Sequence, residues 1–143
     1  RLENIRLVCK GGGTEAQAAK MPPELGTGYP EPRGALSVMP TYGVFARHVR
    51  GLELANINLT FEKPDKRPAM ICTDVDGLEV DNFKAQIGDG VTAAKLDNVK
   101  NIVIRNSPVL NDVATPEASK ASKSNLPHGQ RQSPGFSSPH RWW

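Results

Sequence analysis

Val49-Arg50-Gly51-Leu52-Glu53-Leu54-Ala55-Asn56-Ile57-Asn58-Leu59 recurs without gaps as Val75-Asp76-Gly77-Leu78-Glu79-Val80-Asp81-Asn82-Phe83-Lys84-Ala85. It recurs again as Val99-Lys100-Asn101-Ile102-Val103-Ile104-Arg105-Asn106-Ser107-Pro108-Val109, at offsets of 26 and then 24 residues. A shorter copy, Leu2-Glu3-Asn4-Ile5-Arg6-Leu7, aligns its Asn4 with Asn56. A fixed period in the twenties marks a solenoid, in which each unit buries its apolar face only against its neighbours.

The pattern inside the unit decides which solenoid. Apolar residues alternate at Leu52 and Leu54, then at Ile57, Leu59 and Phe61, with the parity switching across Ala55-Asn56. Alternation of period two means strand, and a switch of parity means a bend between two short strands. The upstream part of each unit alternates as well, at Val44 and Ala46, Met70 and Cys72, and Ala94 and Leu96. Each unit therefore holds three short strands and no run long enough for a helix. A leucine-rich repeat would place two residues between its second apolar residue and the Asn, whereas here there is one. The fold class expected is all-β, a right-handed parallel β-helix of about three to four rungs over residues 1–111.

The columns give the physical reason. Asn4, Asn56, Asn82 and Asn106 occupy one bend in every copy. Asn tolerates the left-handed backbone conformation, and its amide can bond the amide of the rung above and below, so a structural Asn ladder is expected there. Gly51, Gly77 and Asn101 form a second turn column, and His48, Asp74 and Asn98 a third. The segments 62–68 and 88–92 absorb the difference between the two offsets, so the length change falls in loops on one face. Asp65, Lys66 and Arg67 read as part of a solvated loop.

Between Cys9 and Gly43 one rung carries an excursion, residues 10–42, without the repeat. It opens Gly11-Gly12-Gly13 and continues Thr14-Glu15-Ala16-Gln17, a capping box for a short helix near 14–21 that Met21-Pro22-Pro23 stops. A loop of this length in a compact solenoid is usually functional or disordered. At Ser107-Pro108 the repeat fails: Ser takes a core position and Pro removes a ladder donor. Residues 112–143, ending in Trp142-Trp143, read as a disordered low-complexity tail.

Composition limits the function classes. Of 143 residues, 38% are hydrophobic and 23% charged, which suits one domain. A net charge of +3 with no basic run does not suggest nucleic acid. No apolar stretch reaches the ~20 residues of a membrane span. Cys9 and Cys72 could in principle form one disulfide, but they are too few for a disulfide scaffold or zinc cluster and read as buried free thiols. His48, His128 and His140 have no Cys or carboxylate at metal-ligand spacing, so neither metal nor other cofactor is expected. The opening Arg1-Leu2-Glu3-Asn4-Ile5 has neither Met nor a leader and reads like mid-strand, so a fragment is expected. An uncovered first rung would expose strand edges and apolar core and lower solubility.

Several segments together resemble the C-terminal rungs of bacterial polygalacturonase-like proteins of glycoside hydrolase family 28. They are Leu2–Leu7, the Gly11-Gly12-Gly13 excursion, Tyr29-Pro30-Glu31-Pro32, Tyr42–Val49 and Phe61–Ala69. The resemblance covers about residues 1–110. It implies a pectin-degrading β-helix, secreted or periplasmic, that hydrolyses galacturonic-acid-containing polysaccharide with inversion, using one carboxylic acid and one carboxylate base. The family carries its chemistry in Asn-Thr-Asp, Asp-Asp, Gly-His-Gly and Arg-Ile-Lys, and none of these occurs here. The nearest look-alikes are Cys72-Thr73-Asp74 and Pro127-His128-Gly129. Asp74 reads as structural, in the column with His48 and Asn98, and His128 falls in the tail. No catalytic residue is therefore assigned, and the catalytic rungs are expected upstream of Arg1.

Substrate contact is a separate question. Arg47, with Arg33 and Tyr42 nearby, could face an anionic sugar, because Arg pairs with carboxylates through a bidentate fork. The competing account is a solvated rung face. Two other classes compete with the hydrolase: a non-catalytic carbohydrate-binding or adhesin β-helix, and a polysaccharide lyase. The lyase would need calcium-binding carboxylates, and no Asp cluster on one outward column supports it.

Overall fold

A computed structural model describes residues 1–24, 26 and 38–113. It consists of β1 (Leu2–Gly11), α1 (Glu15–Ala18), β2 (Val44–Lys63), β3 (Met70–Ala85), β4 (Ala94–Arg105) and a 3-10 helix at Pro108–Val113. The strands form one sheet in the order β1-β2-β3-β4, parallel throughout. The pairing follows the repeat residue by residue. Leu54 lies opposite Leu2 on one side and Val80 on the other, and Ile57 lies opposite Ile5 and Phe83.

The residues that these strands bury follow a rule set by the left-handed positions. Along β3 the inward residues are Met70, Cys72, Val75, Leu78, Val80 and Phe83, all buried. The inward step is two residues in a straight segment. It becomes three wherever the residue just before the next inward position is left-handed: Asp74 (φ 53°), Gly77 (φ 82°) or Asn82 (φ 53°). A left-handed residue reverses the pleat, so the side chains of the next segment again point inward. Asn56, Asn4 and Asn106 (φ 54°, 57° and 51°) and His48 and Asn98 (φ 55° and 49°) repeat this in the other strands. The residues they aim inward form one cluster with Leu54, Ile57, Leu59 and Leu110.

The Asn column is hydrogen-bonded. Asn56 Nδ2 donates to Asn4 Oδ1 at 3.1 Å, and Asn82 Nδ2 donates to Asn56 Oδ1 at 2.9 Å. The ladder does not extend to Asn106, which donates instead to Asp81 Oδ1 at 2.7 Å. A carboxylate is a stronger acceptor than an amide oxygen, and Asp81 sits one residue before the expected partner. Asn82→Ala should cost about 1–2 kcal/mol, because it places a Cβ residue with no compensating side-chain bond in the left-handed region. Asn82→Gly should cost less, and urea unfolding of the two variants compares them. Equal costs would mean that backbone conformation is not what Asn82 supplies.

The two ends of the core differ. After β4, Ser107 Oγ accepts from the Phe83 amide at 2.9 Å and donates to the Arg105 carbonyl, taking over the ladder where the strand stops. The 3-10 helix then lays Leu110, fully buried, across the last apolar layer. At the β1 edge, Leu2 and Leu7 are 43% and 39% exposed, although their partners Leu54 and Leu59 are 1% exposed.

The loop between β1 and β2 is anchored by a buried ion pair. Asp65, which the sequence reading leaves in a solvated loop, is 0% exposed. Its Oδ2 accepts from the Gly13 amide at 3.0 Å and from Arg67 Nη2 at 2.8 Å, and its Oδ1 accepts from the Arg67 amide and Nε. Arg67 Nη1 also donates to the Met39 carbonyl at 3.3 Å. One pair thus ties down the start of the excursion at Gly13 and its return at Met39. Gly13 is there because a Cβ at that position would collide with Asp65 and Arg67. Within the excursion, Thr14 caps α1, and its side chain and Gln17 close the capping box. The segment Tyr29–Pro32, Arg33 and residues 114–143 lie outside the described residues.

Candidate functional site

Regular strands point consecutive side chains to opposite faces, so Arg47 and His48 should diverge. The left-handed backbone of His48 cancels that divergence, and both side chains meet one carboxylate. Glu24 Oε1, from the loop, lies 2.9 Å from His48 Nε2 and 3.6 Å from Arg47 Nη1. The other ring nitrogen, Nδ1, lies 2.7 Å from Asp74 Oδ2. Asp74 Oδ1 in turn accepts from Asn98 Nδ2 at 2.9 Å. The third turn column is thus a polar chain running Asn98–Asp74–His48–Glu24 across β4, β3, β2 and the loop.

This chain borders an open groove of ≈ 330 Å³ lined by His48, Arg50, Asp74, Asp76, Asn98 and Lys100. Charge alternates across it, because Arg50, Asp76 and Lys100 are register partners. Asp76 Oδ1 accepts from Asn101 Nδ2 at 2.7 Å.

The protonation states follow from the contacts. Both nitrogens of His48 face carboxylate oxygens, and a neutral imidazole has only one N–H, so the arrangement calls for the imidazolium. Accordingly the hydrogen bond to Asp74, and then that to Glu24, raise the His48 pKa above its ordinary value. The same bonds to His48 lower the Glu24 and Asp74 carboxyls below theirs. Near neutrality neither carboxyl holds a proton to donate, and the imidazolium has no lone pair to act as base. The arrangement presents two cations, Arg47 and His48, to one carboxylate, which is chemistry suited to binding charge.

The substrate contacts expected from sequence fare differently from one another. Tyr42 is 6% exposed, stacks edge-on against Phe61 with centroids 5.4 Å apart, and donates its hydroxyl to the Gln86 carbonyl. Burial pushes its pKa up, and it belongs to the core rather than to a surface that a sugar could reach. Arg47 is on the outward face, but its side chain is only 13% exposed. Its Nη2 donates to the Pro22 carbonyl at 2.8 Å, and its guanidinium lies 5.2 Å from the Phe45 ring centroid. The outward face at this point is not freely solvated, since Ile71 is 4% exposed and Pro22 is buried. Arg33 lies outside the described residues.

Sequence reading placed His48 and Asp74 in one column but did not find Glu24. No spacing links a loop carboxylate to a histidine in the following strand. Cys9 and Cys72 are free thiols. Cys72 is buried, which pushes its pKa up to about 11, and the half-buried Cys9 donates through Sγ to the Tyr42 carbonyl at 3.1 Å. Comparison with family models, with curated proteins and with solved structures finds no match to the chain.

Proposed function

We propose that the parallel sheet forms about three to four rungs of a right-handed parallel β-helix. We further propose that the chain is the C-terminal part of a polygalacturonase-like hydrolase of glycoside hydrolase family 28. The hydrolase would act on pectic polysaccharide outside the cell or in the periplasm, by inversion, on rungs beyond these residues. The observation that carries the architecture is the constant pairing register, with left-handed residues stacked at matched positions in successive strands. The right hand follows from the rule that about 98% of connections between parallel strands take it. The hydrolase assignment is supported by the five segments of resemblance, because fold alone does not assign a reaction.

On this reading the described residues bind and extend, and hydrolysis happens elsewhere. The chain 1–143 should release no reducing ends from polygalacturonate. A longer protein containing it should release them with inverted anomeric configuration, read by proton NMR of the first product. Turnover by residues 1–143 that Asp74→Ala abolishes would overturn the division of labour, and retained configuration would overturn the family. A non-catalytic carbohydrate-binding or adhesin module is the second reading. It is favoured by the engaged state of Asp74, whose two oxygens are taken up by His48 and Asn98.

A further inference from the structure

We propose that Arg47 and His48 form a carboxylate-binding site on the outward face of β2, filled here by Glu24 of the chain's own loop and open to an external carboxylated ligand when Glu24 leaves. The two cations converge on a single oxygen, Glu24 Oε1, and they do so only because His48 is left-handed. Each is held in place by other groups. Arg47 is fixed by the Pro22 carbonyl and the Phe45 ring, and His48 by Asp74, whose second oxygen is fixed by Asn98. His48 is therefore held by strand groups alone, and Arg47 by the Phe45 ring and by Pro22, two residues before Glu24 in the loop. Glu24 and His48 side chains are 66% and 54% exposed, so solvent and solutes reach the contact. An exposed ion pair of this kind is weak and readily exchanged.

Among the described residues, the charged groups facing His48 are Glu24 from the loop, Arg47 and Arg50 on β2, Asp74 and Asp76 on β3, and Lys100 on β4. With Glu24 gone, Asp74 still holds the Nδ1 proton, and Nε2–H is left to donate outward. Binding should therefore be present below the folded-state pKa of His48, which lies above its ordinary value, and fade as pH rises through it. Resting on the pectic reading, the external carboxylate is that of a uronate residue, and Glu24 acts as an internal competitor for it.

The experiment follows the His48 imidazole and Arg47 side-chain NMR signals of the full chain at low ionic strength, with trigalacturonate, neutral galactotriose and acetate as probes. Glu24→Ala should bind trigalacturonate about two- to fivefold more tightly than the unmodified chain, the range set by an exposed ion pair. Galactotriose should move neither signal, and Glu24→Ala combined with His48→Gln should abolish the response. Unchanged β3 amide signals establish that the variants are folded. If acetate moves the two signals in Glu24→Ala but trigalacturonate does not, the site stands and the pectic reading falls. If trigalacturonate binds but shifts signals elsewhere, the site falls and the pectic reading stands. If no carboxylate moves either signal in Glu24→Ala, the proposal is overturned.

Discussion

Phe83→Ala is expected to destabilise the chain by about 3–5 kcal/mol, the usual cost of emptying a large aromatic site in a packed core. Among the described residues Phe83 is the largest fully buried side chain, at 0% exposure, and it directly follows the left-handed Asn82. Its backbone amide is bound by Ser107 Oγ, so it also joins the last bend to the segment that closes the core. The neighbouring Lys84 is exposed, and Lys84→Ala should stay within about 0.5 kcal/mol of the unmodified chain. Denaturant unfolding of the two variants makes the comparison. A loss at Phe83 no larger than that at Lys84 would mean that the inward set defined by steps of two and three is wrong.

The second large effect is expected at Asp65. Asp65→Ala should cost about 3 kcal/mol, because removing one member of a buried pair leaves the other charge uncompensated. Arg67, 18% exposed at its side chain, would lose its partner, and the amides of Gly13 and Arg67 would lose their acceptor. The loss should be local as well as global: hydrogen exchange near Gly13 and Met39 should quicken more than exchange in β3. Asp65 also sets an acid limit. Burial raises its pKa, but the bonds from the Arg67 side chain, the Arg67 amide and the Gly13 amide outweigh burial and leave it below the ordinary value. Its folded-state pKa therefore lies below the unfolded value of about 3.9. The stabilisation is fully present above the unfolded value and disappears as pH falls through the folded one. Stability of the unmodified chain should fall on acidification over that interval more steeply than stability of Asp65→Ala. Parallel curves would remove Asp65 from the account.

The bends were legible in the sequence because each is a requirement on a single residue. A backbone that must turn left-handed selects Asn, Gly or Asp, and Asn56, Gly77 and Asp74 declare it at their own positions. Strand pairing was legible for a related reason, since in-register stacking puts like residues opposite like and writes one pattern several times. Where the repeat stops, legibility stops with it. Ser107 signalled the end of the pattern, but nothing in Pro108–Val113 announced that Leu110 would cover the core. Tyr42 looked like a surface contact because an aromatic ring with a hydroxyl suits either place. Only the positions of Phe61 and Gln86 put it inside.

The amino-acid sequence by itself determined the parallel pairing, its register and the left-handed positions, because all three depend on backbone conformation and apolar periodicity, which recur along the chain. Tertiary structure alone decided that Asp65 is buried with Arg67 and that Glu24 meets Arg47 and His48. Those contacts join single residues of a non-repeating loop to single residues of the sheet. Each forms once, at a distance along the chain that no period records, and so it leaves no pattern until the loop is laid against the strands.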